Sequence, residues 1–225
     1  MSDSRESGQA APIYITMVAG LLFLALALFT VGQAGAKHSG AQSAADAAAL
    51  AAAQESRDDF VSLNILGDLG NLLNPEFLDD IFNGDPMGTP VGCQAAARFA
   101  DRNEAVLSDE GDGCRAMGDR WGFTVHVQTK KPMGATILPG TADDKAEAWA
   151  AAVVEPGCTF KPAEDEENPP TEGDESPPEE DNPEDTEQVS PGSLECGGTM
   201  WEIDPEHLDL LPESADLFSV RLAQD

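Results

Sequence analysis

The sequence predicts an α+β protein: a long N-terminal transmembrane helix that extends into a small extracytoplasmic α+β domain with a disordered acidic insertion. Three observations predict it. Ala10 to Ala36 contains no charged side chain. An alanine-rich run follows immediately and continues the helical signal. Beyond it, short apolar-periodic pieces alternate with Gly/Pro turns, and one stretch alternates with period two.

The span comes first. A hydrocarbon core about 30 Å thick needs about 20 helical residues at about 1.5 Å each. Ile13 to Val31 alone supplies 19. A helix on the surface of a soluble domain keeps a polar face, and this stretch has none. The rival readings are a buried core helix and a signal peptide cut after Ala34-Gly35-Ala36. The apolar run exceeds the usual signal-peptide core of about 7–15 residues, and its basic flank is poor.

Residues 37–56 are nearly all small, and alanine is the best helix former. Only Gly40 opposes helix there. The spanning helix is therefore expected to run unbroken from Pro12, tolerated in a first turn, to about Ser56. Gly40, Ala41, Ala44, Ala45, Ala48 and Ala52 make a thin face on which a partner helix packs closely. A plain spacer helix is the alternative.

Here a resemblance emerges. Ala-Pro-Ile-Tyr-Ile at 11–15, the apolar span, and Gly-Ala-Gln-Ser-Ala-Ala-Asp-Ala-Ala-Ala-Leu-Ala-Ala-Ala at 40–53 resemble the N-terminal region of the TadE/TadG-like proteins of bacterial Flp (tight-adherence) pilus assembly. Cys93 to Leu107 followed by Cys114 is similar to the helix-plus-cysteine pattern of TadE-like minor pseudopilins, where a strand follows. Flp-type prepilins are cut after a glycine with glutamate at the fifth mature position. Gly8 is the candidate glycine, but Ile13 stands fifth after it. The resemblance thus implies a pilus-associated membrane protein more securely than a polymerising pilin. It implies pilus or secretion-system membrane proteins as partners through the N-terminal helix.

Composition agrees with an anchored outer domain. The formal net charge is −30, from 42 acids against 12 bases. Such a surface repels phosphate backbones, which excludes nucleic-acid binding as a function class. Arg5 and Lys37 flank the span almost evenly, so positive charge alone does not orient it. The cysteines decide. All four (Cys93, Cys114, Cys158, Cys196) follow the span, and an even number on one side favours disulfides in an oxidising compartment. The N-terminus is placed in the cytoplasm and the C-terminal domain outside the plasma membrane. Four cysteines allow three pairings. Order favours Cys93–Cys114 and Cys158–Cys196; four free buried thiols are the alternative.

Phe60 to Phe82 carries Phe60, Leu63, Leu66, Leu69, Leu72, Leu73, Phe77 and Ile81 at roughly helical spacing, broken by Gly67, Gly70 and Pro75. Asn74 starts a helix and Asn83-Gly84 stops it. Residues 83–92 read as a Gly/Pro loop. Helix is expected over Cys93–Leu107, with Ala96, Ala97, Ala100 and Leu107 inward. Asp109 to Asp119 is acidic and glycine-rich but fits no calcium-loop register, so a solvated turn is expected. Gly122–Thr129 alternates, with Phe123, Val125 and Val127 on one face and His126 on the wetter one. Lys145–Val154 reads two ways: alanine propensity favours helix, while the resemblance and the alternation of Ala148, Ala150, Ala152 and Val154 favour strand, the reading taken. Thr199–Ile203 and Leu217–Leu222 are further strand candidates, with a short piece around Pro205 to Leu211.

Glu164 to Glu187 holds 13 acids, five prolines and no base. Nothing apolar offsets chain entropy there, so 162–192 is expected to be a disordered loop. It reads either as a tolerated insertion or as a cation-binding or fibre-spacing element.

No catalytic pattern, phosphate loop or zinc spacing is present, so no enzyme, cofactor, metal or small-molecule substrate is expected. His207 among Asp204, Glu206 and Asp209 reads as surface. The organisation expected is 1–9 cytoplasmic, 10–36 span, 37–57 helix extension, 58–161 and 193–225 outer domain, with 162–192 as its acidic loop. The function expected is a minor pseudopilin or accessory assembly component. A secreted or anchored acidic binding protein unrelated to pili is the alternative.

Overall fold

One helix organises the whole molecule. In the computed structural model, residues 10–109, 113–132, 143–163 and 190–223 are described. Helix α1 runs from Ala10 to Phe60 without interruption. Its first stretch includes an 18-residue window, Pro12–Phe29, apolar enough to cross a membrane and buried by nothing else in the chain. From Ala41 onward the same helix enters a domain. Ala41, Ala44, Ala45, Ala48, Ala49, Ala52 and Ala53 are fully buried there.

The domain is a five-stranded antiparallel sheet. Strand β3 (Gly122–Thr129) pairs on one side with β1 (Ala105–Leu107) and β2 (Cys114–Ala116), and on the other with β4 (Glu147–Pro156). Strand β8 (Phe218–Leu222) pairs with the far half of β4. The inner face presents Phe123, Val125 and Val127 from β3 and Ala148, Ala152 and Val154 from β4. Methyl-sized side chains on both surfaces let helix and sheet approach closely. Helix α4 (Cys93–Arg102) closes the other flank of α1 through Ala96 and Ala100. β4 runs parallel to α1. Its start is tied to Gln42, whose Nε2 donates to the Trp149 carbonyl at 3.1 Å. Its end meets the level of Phe60.

At that outer end Phe60 lies 4.9 Å from Trp121 and 6.0 Å from Phe218, and Phe82 stacks on Phe218 at 5.3 Å. A second sheet, β5 (Cys158–Pro162), β6 (Gly192–Cys196) and β7 (Thr199–Glu202), leaves from the end of β4. Its exposed β5 edge is capped by one side chain. Asn83 Oδ1 accepts from Phe160 N at 3.0 Å, and Asn83 Nδ2 donates to Phe160 O at 2.9 Å. The amide thus replaces a neighbouring strand.

Several sequence expectations need correction. The 93–107 helix ends at Arg102, and Glu104 turns in the left-handed region at φ 58°. Ala105–Leu107 becomes a strand because pairing with Val127–Thr129 overrides local helix propensity. Ala97 is exposed and Ala95 takes the inward position. Within the expected solvated turn, Cys114–Ala116 is strand β2. Between Phe60 and Leu72 the helical spacing fails. A π-helical turn over Val61–Ile65, with Leu66 N bonded to Val61 O at 2.9 Å, adds a residue and rotates the apolar face. Val61 and Ile65 turn inward, and Leu63, Leu66 and Leu69 face out. Helix α3 (Pro75–Phe82) keeps the expected start: Asn74 Oδ1 accepts from Glu76 N at 3.0 Å. Helices α2 (Leu69–Leu72) and α5 (Ser214–Leu217) are single turns.

A candidate membrane-anchoring and assembly helix

The candidate functional side chains lie on α1, and its two halves differ in what surrounds them. Ile13, Tyr14, Ile15, Met17, Leu21, Leu22, Phe23, Leu24, Leu26, Leu28 and Phe29 are all exposed. Such a length of uncovered apolar helix is unfavourable in water and satisfied in hydrocarbon or against other helices. Gly20, Gly32, Gly35 and Gly40 have open space around the position of an added Cβ.

The outer half is enclosed. Of the face expected to pack on partner helices, Ala41, Ala44, Ala45, Ala48 and Ala52 are buried against the chain's own sheet and α4, and Gly40 alone stays open. In this chain those alanines form part of its own hydrophobic core. A fastening closes the outer end. Trp121 Nε1 donates to Ser56 Oγ at 2.9 Å, and Ser56 Oγ donates to Thr89 O at 2.6 Å. Gly88 lies so close to the Trp121 ring that an added Cβ would fall 1.9 Å from it. No feature of the sequence pattern marked Ser56, because its value depends on an indole delivered by β3.

Cys93 is bonded to Cys114 and Cys158 to Cys196. The first pins the start of α4 to β2. The second joins directly opposed residues of β5 and β6. Gly8 and the 164–189 part of the acidic segment lie outside the described residues.

His126 corrects another expectation. It occupies the outer sheet face, yet it is only 3% exposed. Its cross-strand neighbour Trp149 lies flat over it, with centroids 3.7 Å apart and planes within 7°. Its Nε2 is 3.4 Å from Glu147 Oε2. His207 is exposed, and its Nδ1 is 2.8 Å from Asp204 Oδ2. The Asp204 carboxylate holds the His207 imidazole above its ordinary range. Asp204 lies below the usual carboxylate range, chiefly through the Glu206 backbone N–H and then His207. Among the described residues no group of three or more His, Cys, Asp or Glu is arranged to hold a metal.

The part of the chain that compares with known proteins is helix α1. Residues 8–55 match the protein family described as "Putative Flp pilus-assembly TadE/G-like". The Tad match covers 48 of 225 residues, and it takes in almost all of α1 and none of the sheet. No curated protein and no solved structure gives a significant match to the chain.

Proposed function

We propose that this chain is a single-pass membrane component of the Flp/Tad pilus machinery, acting as a minor pseudopilin or accessory assembly component without catalysis. The observation that carries this reading is the coincidence of the Tad match with α1. The apolar half of α1 anchors the chain and meets helices of other pilus membrane proteins. The outer half is the spine of the domain, so domain and anchor move as one body.

The N-terminus lies in the cytoplasm and the domain outside the plasma membrane, where both disulfides persist. The span corresponds to 10–36 and the extension to 37–57. The remainder, 58–161 and 193–225, completes the outer domain around the acidic loop 162–192. Partners are recognised through helix packing between Pro12 and Gly40, since the alanine face beyond it is covered by the chain itself.

Deletion of the gene, with complementation, is the test. Loss of surface Flp pili, restored by the full-length chain, is expected. Normal piliation in the deletion would defeat the reading. N-terminal sequencing of the mature protein is the companion measurement. A chain retaining residues 13–31 in the membrane fraction is expected. A start at Lys37 would remove the anchor, and a start at Gln9 would point to prepilin-type processing.

A further inference from the structure

The lysines of the chain are unevenly placed with respect to α1. Because β4 runs parallel to α1, the segment before Trp149 points back toward the apolar span. Thr129 ends β3 at this end, and its N donates to Ala146 O at 2.8 Å. Four of the five lysines gather here: Lys37 on α1, Lys130 and Lys131 after β3, and Lys145 before β4. The nearby acids are Asp46, Asp101, Glu104, Asp143, Asp144 and Glu147, and Arg102 is a fifth base. This end therefore carries five of the chain's 12 bases. The acidic segment departs from Ala163 and returns at Ser190, on the second sheet at the opposite end.

Helix geometry puts the lysine end at the lipid surface. The uncharged stretch 10–36 is about 40 Å long, against a hydrocarbon core of about 30 Å and a full bilayer of about 40–45 Å. Lys37 thus emerges within the headgroup layer. Gln42 follows about 8 Å farther out, and Lys145 precedes Trp149, whose carbonyl Gln42 bonds, on the side toward the bilayer. Lys131 pairs with Glu104 at 3.0 Å yet keeps 74% of its side chain exposed. Among the described residues Lys145 reaches the neutral Gln128 Oε1, at 3.3 Å. Lys37 has no partner among the described residues. Lys130 is spoken for by Asp101, at 2.6 Å.

We propose that Lys37, Lys131 and Lys145 form a contact surface for the anionic phosphate headgroups of the bilayer from which α1 emerges. This rests on the reading that α1 spans the membrane. Basic side chains within a Debye length of an anionic leaflet are attracted to it. The end that gathers four of the five lysines is the part of this acidic chain best suited to approach such a surface. The consequence is a fixed posture: lysine end on the lipid, second sheet away from it.

The experiment uses the full chain in lipid nanodiscs and reads acylation of each lysine by mass spectrometry. Neutral phosphatidylcholine discs are compared with discs containing about 30 mol % phosphatidylglycerol. Lys37, Lys131 and Lys145 should react about threefold more slowly in the anionic discs, and about 0.5 M salt should remove the difference. Lys161, on the second sheet, is the internal control and should not change. Equal rates in both lipids, or equal slowing of Lys161, would overturn the proposal. Protein that is inserted yet unprotected sinks this inference alone; protein that fails to insert sinks the spanning reading with it.

Discussion

Trp121 on the approach to β3 and Ser56 on α1, 65 residues apart, share a buried 2.9 Å hydrogen bond, Nε1 donating to Oγ. The hydroxyl in turn donates a hydrogen bond to Thr89 O. One side chain of α1 thus satisfies the indole of the sheet and a carbonyl of the 83–92 loop. Ser56→Ala leaves both without their partner in a buried setting. A loss of about 1–3 kcal/mol is expected, read as a lower melting temperature of the full chain in detergent. An unchanged melt would show that water replaces the hydroxyl.

Ala48 is fully buried and Ala47, one residue earlier, is half-buried. Ala48→Leu should overpack the helix–sheet contact and cost about 1–3 kcal/mol, and Ala47→Leu should stay within about 0.5 kcal/mol. The comparison separates two roles for the alanine face. If Ala48→Leu left stability intact and impaired only assembly, the face would serve other subunits and not the chain's own core.

The disulfides close loops of 21 and 38 residues of sequence separation. On the chain-entropy account each stabilises by about 3–4 kcal/mol, the longer loop slightly more. Double Cys→Ser replacement at 93/114 or at 158/196 should lower the denaturant midpoint accordingly. Non-reducing peptide maps of the native protein should contain both cross-linked pairs, and any other pairing would contradict the strand register at Cys158–Cys196.

Replacing residues 164–189 by a short Gly/Ser turn should leave stability unchanged or raise it slightly. The ends of the segment are already held: Ala163 N donates to Pro191 O at 3.1 Å, and the Cys158–Cys196 bond lies just below. Shortening a flexible connection lowers its closure entropy by only about 1–2 kcal/mol. A large drop in melting temperature would mean that the segment packs on the fold.

His207 titrates above an ordinary imidazole because Asp204 accepts its hydrogen bond and stabilises the protonated ring. The stability this provides is fully present below the unfolded imidazole value and is lost as pH rises through the folded one. For Asp204, depressed first by the Glu206 N–H and then by His207, the gain is present above the unfolded carboxylate value and lost as pH falls through the folded one. In an NMR titration, Asp204→Asn should bring the His207 midpoint down. A midpoint that does not move would assign the shift to Asp209 and Glu206.

The amino-acid sequence by itself determined what depends on neighbours along the chain. The uncharged run from Ala10 to Ala36 defines the candidate span because bilayer thickness sets a length that composition alone satisfies. Phe123, Val125 and Val127 declare a strand and its inner face through simple alternation. Asn74 before Pro75 declares a helix start, since the cap bond is local. Tertiary structure decided everything that depends on which surface arrives. The alanine face reads identically whether a partner helix or the chain's own sheet covers it, and only the parallel course of β4 along α1 shows that the sheet does. His126 belongs to the outer sheet face by alternation, but Trp149 is what buries it. Ala105–Leu107 favours helix alone and becomes a strand on β3, because pairing energy between distant segments exceeds a local propensity of a few tenths of a kcal/mol per residue.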